Sequence, residues 1–217
     1  MKLTVCIELS GKKIVIVGGG RVATRKTRLL LEHGGSVTII SPQVSDQLGR
    51  LATEGSITWL PRVYESGDLT GAALAIAATN CSVTNAQVAA EAHQKNIPVN
   101  MAESPEKGDF ILPAQFSRGQ LNIAVSTGGL SPAFASAVKD RLSEVVGSEF
   151  GVALELLAKE REKLLTLGQR ETYNANLIKE LLTTEFLELI QKGRLDDAVR
   201  MVKNAFPDPL VTERPET

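Results

Sequence analysis

The sequence predicts an α/β protein built on a doubly wound parallel sheet, followed by a strand–strand–helix segment and a helical C-terminal part. Three observations predict it: short apolar runs alternate with amphipathic stretches through the N-terminal half, the first run breaks into three consecutive glycines, and no strand signal survives beyond Gly151. Alternation on that scale gives parallel strands, because a parallel pair needs a helical crossover to return the chain to the same edge. At 217 residues, one core with an appendage is expected.

The elements can be justified in order. Lys13 to Val17 is a continuous apolar run ending in Gly18-Gly19-Gly20, the pattern of a strand buried on both faces. From Val22 to His33, apolar residues recur at helical spacing and Gly34-Gly35 supplies the stop. Ser36 to Ile40 is the second strand, and the pattern repeats with a helix over 44–53 and strands at 57–60 and 74–78. A helix over 83–95 and a strand over 98–101 complete it. Beyond Met101, Phe110 to Phe116 and Gln120 to Ser126 read as a hairpin turning at Ser117-Arg118-Gly119. Ser131-Pro132 joins a capping hydroxyl to a proline at the first helical position, opening a helix to about Val146. Helices are expected over 152–167, 171–191 and 195–206, before a tail carrying Pro207, Pro209 and Pro215. The domains expected are 1–112, 113–148 and 149–217.

Composition removes several classes of function. Hydrophobic residues at 43% and charged residues at 23% match an ordinary globular chain. Twenty-four basic against 25 acidic residues leave a net charge of −1, without the basic face that a nucleic acid requires. The longest apolar run, Ala72 to Ala78, is far shorter than a membrane span. Cys6 and Cys81 match no zinc or redox spacing, and are expected as buried thiols of a cytoplasmic protein. His33 and His93 have no ligand cluster around them and read as helix-end surface residues, so no metal site is expected.

Gly18-x-Gly20-x-x-Ala23 stands between a buried strand and a helix, where a Rossmann-type dinucleotide fingerprint belongs. The first glycine allows the turn, the second lets a pyrophosphate approach the backbone, and the small third residue lets helix and strand close up. The second strand ends in Ser41-Pro42 rather than the acidic residue that usually takes the ribose hydroxyls. With Arg21 beside the glycines, residue logic leaves NAD and NADP both open. Arg25 and Arg28 read as a solvated helix face, and Lys26 completes the same cluster of cations. Thr79-Asn80 ends the fourth strand at the carboxyl edge, either touching cofactor or capping the next helix. Thr127-Gly128-Gly129-Leu130-Ser131 is a second glycine loop feeding a helix start, either another anion site or a plain turn.

Four ordered blocks carry a resemblance. Val15 to Lys26, Ala75 to Asn80, Val99-Asn100-Met101, and Phe110 to Ala114 running on to Ser126–Pro132 together resemble the precorrin-2 dehydrogenase family, the siroheme synthase N-terminal module in its stand-alone bacterial form. The resemblance implies NAD-dependent oxidation of precorrin-2 to sirohydrochlorin, in a cytoplasmic homodimer whose interface is the segment after the nucleotide domain. Expected cofactor contacts are Gly18, Gly20, Arg21, Val22, Ala23, Ser41, Pro42, Gln43, Thr79 and Asn80. Expected substrate contacts are Asn100, Arg118, Thr127, Gly128 and Ser131, with Arg118 either on a substrate carboxylate or in solvent. Glu103 stands where relatives that also insert iron carry an aspartate, which makes it the candidate base and points to a separate chelatase; a bifunctional enzyme is the alternative. Two rivals are weaker. An NAD-sensing module lacks an output element, and an ordinary NADP dehydrogenase would need a Tyr-x-x-x-Lys pair that neither Tyr64 nor Tyr173 provides.

Overall fold

A computed structural model describes residues 3–168 and 175–206, and the chain divides into two compact units. The first comprises residues up to Leu112 together with Ser126–Ser131. Its strands are β1 (Lys13–Val17), β2 (Ser36–Ile40), β3 (Thr58–Leu60), β4 (Leu74–Ala77) and β5 (Val99–Met101). They form one wholly parallel sheet in the order β3-β2-β1-β4-β5. The helices α1 (Arg21–Glu32), α2 (Asp46–Thr53) and α3 (Ser82–Gln94) make the crossovers.

Side-chain alternation along β1 separates two apolar layers. Ile14 and Ile16 pack with Val37, Ile39 and Ile76 beneath Ala23 and Leu30 of α1 and Leu48 of α2; Val15 and Val17 pack with Ala75, Ala77 and Val99 beneath Val88 and Ala92 of α3. The order runs outward from β1 to β3 and then returns to β4 on the other side of β1. That reversal opens a crevice at the carboxyl ends of β1 and β4, the place where open sheets of this type receive ligands.

The second unit comprises Pro113–Val125 and the chain from Pro132. Its hairpin pairs β6 (Ala114–Arg118) with β7 (Leu121–Val125), and α4 (Pro132–Val145) follows. The helices α5 (Ser148–Thr166), α6 (Ala175–Leu181), α7 (Thr184–Gln191) and α8 (Leu195–Ala205) enclose a separate core around Leu157, Leu164, Phe186, Ile190 and Phe206.

Most expected boundaries fall within two residues of those observed, and four expectations are corrected. The hairpin turns at Gly119-Gln120, because Arg118 pairs with Leu121 and Gly119 takes a φ of 57° at the first turn position. Phe110 and Leu112, expected in that strand, pack instead against the Ile14–Ile76 layer of the first unit. The long helix expected over 171–191 is broken after Leu181, where the Thr183 hydroxyl accepts the Phe186 N–H at 3.3 Å and starts α7 afresh. Cys6 and Cys81 are both exposed rather than buried: one lies on the segment before β1, the other on the loop leaving β4. Residues 171–174, with Tyr173, and the tail prolines lie outside the described residues. No helix among the described residues is long and apolar enough to cross a membrane.

Candidate dinucleotide and substrate site

The glycine turn is shaped by two close approaches and one open side. Gly18 has a φ of +120°, and a Cβ there would stand 2.3 Å from the Ala78 carbonyl oxygen. A Cβ on Gly19 would stand 2.1 Å from the Gln43 carbonyl oxygen, a constraint that the glycine fingerprint does not encode. Around Gly20 nothing lies within 4 Å. Gly20 is also the N-cap of α1, with no side-chain cap and no acidic residue in the first turn. The positive end of the helix dipole is therefore uncompensated behind an open backbone, and a pyrophosphate fits that position. Ala23 is fully buried against the sheet, as its place in the fingerprint requires, whereas Arg21 and Val22 are exposed.

The neighbouring loop is tied down from inside. The Ser41 hydroxyl donates to the Gln43 carbonyl at 2.6 Å, and the Ser41 carbonyl accepts the Trp59 indole N–H at 2.9 Å. Its proton holds the turn, so Ser41 is not the hydroxyl donor the ribose reading needs; Pro42 and Gln43 are exposed beside it. Thr24 and Ser45 join their hydroxyls at 2.8 Å, and Ser45 N–H donates to the Gly19 carbonyl, locking this loop to the glycine turn.

At the end of β4 the Thr79 hydroxyl donates to Asn85 Oδ1 at 2.8 Å, and Asn85 Nδ2 returns a bond to the Thr79 carbonyl at 3.0 Å. Thr79 thus anchors the entry to α3, leaving Asn80 exposed at the edge. Asn85, only 3% exposed, was not legible as part of this turn.

Asn100 is 2% exposed and cannot be a free substrate contact. Its amide Nδ2 donates to the Phe110 carbonyl at 2.8 Å, which leaves Oδ1 pointing the other way to accept Lys26 Nζ at 2.7 Å. Burial, helped by the charge of Arg25, pushes the Lys26 ammonium down to about 8. Glu103 is exposed, two residues past β5. In the loop over Ser126–Ser131, the Thr127 hydroxyl accepts the Ser131 N–H and donates to the Ser131 carbonyl, both at 3.1 Å, so it serves the turn. Gly128 and Gly129 take φ values of +65° and +96° with open space around them.

Arg118 is a correction. Within the second unit its Nε donates to the Val146 carbonyl and its Nη2 to the Ser143 carbonyl, both at 2.9 Å, and its guanidinium lies 4.8 Å from the Phe116 ring centroid. Helix α4 has no basic residue in its last turn, so Arg118 supplies the cation that its negative end attracts. Among the described residues, no three His, Cys, Asp or Glu side chains cluster to hold a metal.

Comparison with known proteins bears on the whole chain. A family model described as putative NAD(P)-binding matches residues 5–114, and one described as sirohaem biosynthesis protein central matches residues 118–144. The siroheme synthase of Methylococcus capsulatus is 36% identical over 213 residues, which is 98% of this chain and 45% of that protein. The siroheme synthase of Pseudomonas putida strain F1 is 40% identical over 160 residues, 74% of this chain and 35% of that protein. The chain thus spans less than half the length of these curated relatives. A solved structure of SirC, a precorrin-2 dehydrogenase, is 26% identical with a TM-score of 0.74, covering 95% of this chain and 100% of that one.

Proposed function

The chain belongs to the putative NAD(P)-binding family, and from that premise we propose that it is an NAD-dependent dehydrogenase oxidising precorrin-2 to sirohydrochlorin in siroheme synthesis. The observation that carries this reading is the likeness to SirC along nearly the whole chain, coinciding with an uncapped α1 N-terminus behind Gly20 at the sheet's switch point.

A bound nicotinamide would supply the hydride acceptor for the macrocycle. The chain's own residues do the positioning. The first-turn N–H groups of α1 and the bare Gly20 would hold the pyrophosphate, with Arg21 beside it. The Gln43 loop, fixed by Ser41 and Thr24–Ser45, lies on the β2 side of the crevice where the adenosine goes, and Asn80 lies on the β4 side. The oxidation removes one hydride and one proton, and Glu103 accepts the proton released from a pyrrole N–H. Gly128 and Ser131 lie on the loop assigned to a substrate carboxylate, but their own N–H groups already bond the Ser126 and Thr127 hydroxyls and hold its turn.

We assign NAD rather than NADP because of the family resemblance, despite the absent acidic residue after Ile40. The protein acts as a cytoplasmic homodimer through residues 113–148, takes no nucleic acid, and leaves iron to a separate chelatase. The test is anaerobic incubation with precorrin-2 and either cofactor, followed by absorption spectroscopy. Sirohydrochlorin formed faster with NAD is expected. Absence of product overturns the function, and a higher kcat/KM with NADP overturns the cofactor assignment.

A further inference from the structure

We propose that Lys26 is an anion-receiving residue of the substrate site, its ammonium aimed by Asn100 to bind a carboxylate of the polycarboxylate macrocycle. This rests on the dehydrogenase reading above and adds to it a residue which sequence reasoning left in a general cluster of cations.

The geometry is a relay of fixed parts. Phe110 O holds the Asn100 amide, Asn100 Oδ1 holds Lys26 Nζ, and the buried Asn100 has no freedom to turn away. Asn100 lies at the middle of β5, paired with Ile76 of β4, so it belongs to the ligand-side half of the sheet. Only one of the three ammonium protons is spent there. Among the described residues no carboxylate lies within ion-pair distance of Lys26, and the charge that does act on it, Arg25, repels it. A largely desolvated cation with a like charge beside it and no counter-ion is costly, and an arriving anion would relieve that cost. The Lys26 Cα stands six residues along α1 from Gly20, roughly 9 Å inside the helix. Its ammonium is held at Asn100 of β5 and not against the glycine turn, which favours a substrate anion over the cofactor pyrophosphate. A macrocycle bearing several carboxylates supplies it.

Two variants and one labelling experiment test this. Lys26→Met should raise KM for precorrin-2 roughly ten- to a hundredfold with kcat changed far less, and Lys26→Arg should recover most of the loss. Dissociation constants for NAD should be unchanged in both. In the unmodified protein, acetic anhydride labelling of Lys26, read by mass spectrometry, should be slowed by sirohydrochlorin and not by NAD. Protection by NAD alone would assign Lys26 to the cofactor and overturn the proposal, as would equal labelling with and without sirohydrochlorin. Loss in kcat at unchanged KM would overturn it in favour of proton transfer. If the unmodified protein makes no sirohydrochlorin at all, the dehydrogenase reading itself has failed, whereas normal turnover with an unchanged KM in Lys26→Met sinks this inference alone. Unfolding of the variants against pH adds a check independent of activity. Burial has lowered the native lysine from 10.5 to about 8, so the unfolded chain binds more protons between those values. Stability relative to Lys26→Met should therefore rise with pH from about 8 to 10.5 and then level off.

Discussion

Gly18 and Gly20 stand two residues apart, yet their substitutions should fail in different ways. Gly20→Asp places a carboxylate where the pyrophosphate approaches, but its Cβ meets nothing within 4 Å and the backbone is extended. It should abolish NAD binding in titration with a near-unchanged melting temperature. Gly18→Ala forces a side chain into φ +120° and onto the Ala78 carbonyl at 2.3 Å. It should cost about 2–4 kcal/mol of unfolding free energy, read by denaturant titration. A Gly20→Asp protein that still binds NAD would remove the glycine turn from the site. Glu103 is tested at the same scale by supplying sirohydrochlorin and Fe²⁺ without NAD: insertion no faster than in protein-free buffer is expected, and fast insertion lost in Glu103→Ala would make the protein bifunctional.

Among elements, the segment between β3 and β4 depends on one carboxylate of α3. Glu91, 6% exposed, accepts the Tyr64 hydroxyl proton, the Gly67 N–H at 2.9 Å and the Leu69 N–H at 3.2 Å. Burial pushes its carboxyl up, but those bonds and the charge of Lys95 outweigh it and hold it below the ordinary range. On the same loop, a bidentate bond from Arg62 lowers Asp68 against the burial that opposes it. Lowered carboxylates contribute stability that is present above their unfolded values and lost as pH falls through the folded ones, so both act on the acid limb. Glu91→Ala should destabilise by about 2–3 kcal/mol in thermal unfolding at neutral pH, with a smaller difference from the unmodified protein below pH 4. An unchanged melting temperature would mean that the segment holds without it.

For the whole molecule, the question is what covers α4. Phe134 and Val145 are exposed by 63% and 71%, and with Val138 and Leu142 they fall within roughly 80° of one helix face at 100° per residue. Among the described residues, the two-stranded hairpin beside it has no further strand paired to either edge. These features support the homodimer proposed above. Sedimentation at micromolar concentration should show a dimer that Phe134→Glu with Val145→Glu converts to monomer; a fully active monomer without those changes would refute it.

By itself the sequence determined the order of strands and helices in the first unit, because buried parallel strands write continuous apolar runs and glycines punctuate them. Gly18, Gly20 and Ala23 were legible because strand, glycine turn and helix start follow one another in the sequence, although the backbone that Gly18 closely approaches, at Ala78, lies just past β4. Residues whose roles depend on partners distant in sequence were not legible. Asn100 read as a substrate contact until the Phe110 carbonyl and Lys26, ten and 74 residues away, were brought to it. Arg118 read as either a carboxylate binder or a solvated turn residue until the end of α4, 25 to 28 residues on, claimed its donors. The close approaches at Gly19 and Gly151 are marked by no motif: a Cβ on Gly151 in α5 would stand 2.5 Å from the Arg118 carbonyl. Hydrogen bonds and close packing across long sequence separations carry no periodic signature, so only the tertiary structure decided which polar groups were already spent and that Lys26 is held by Asn100.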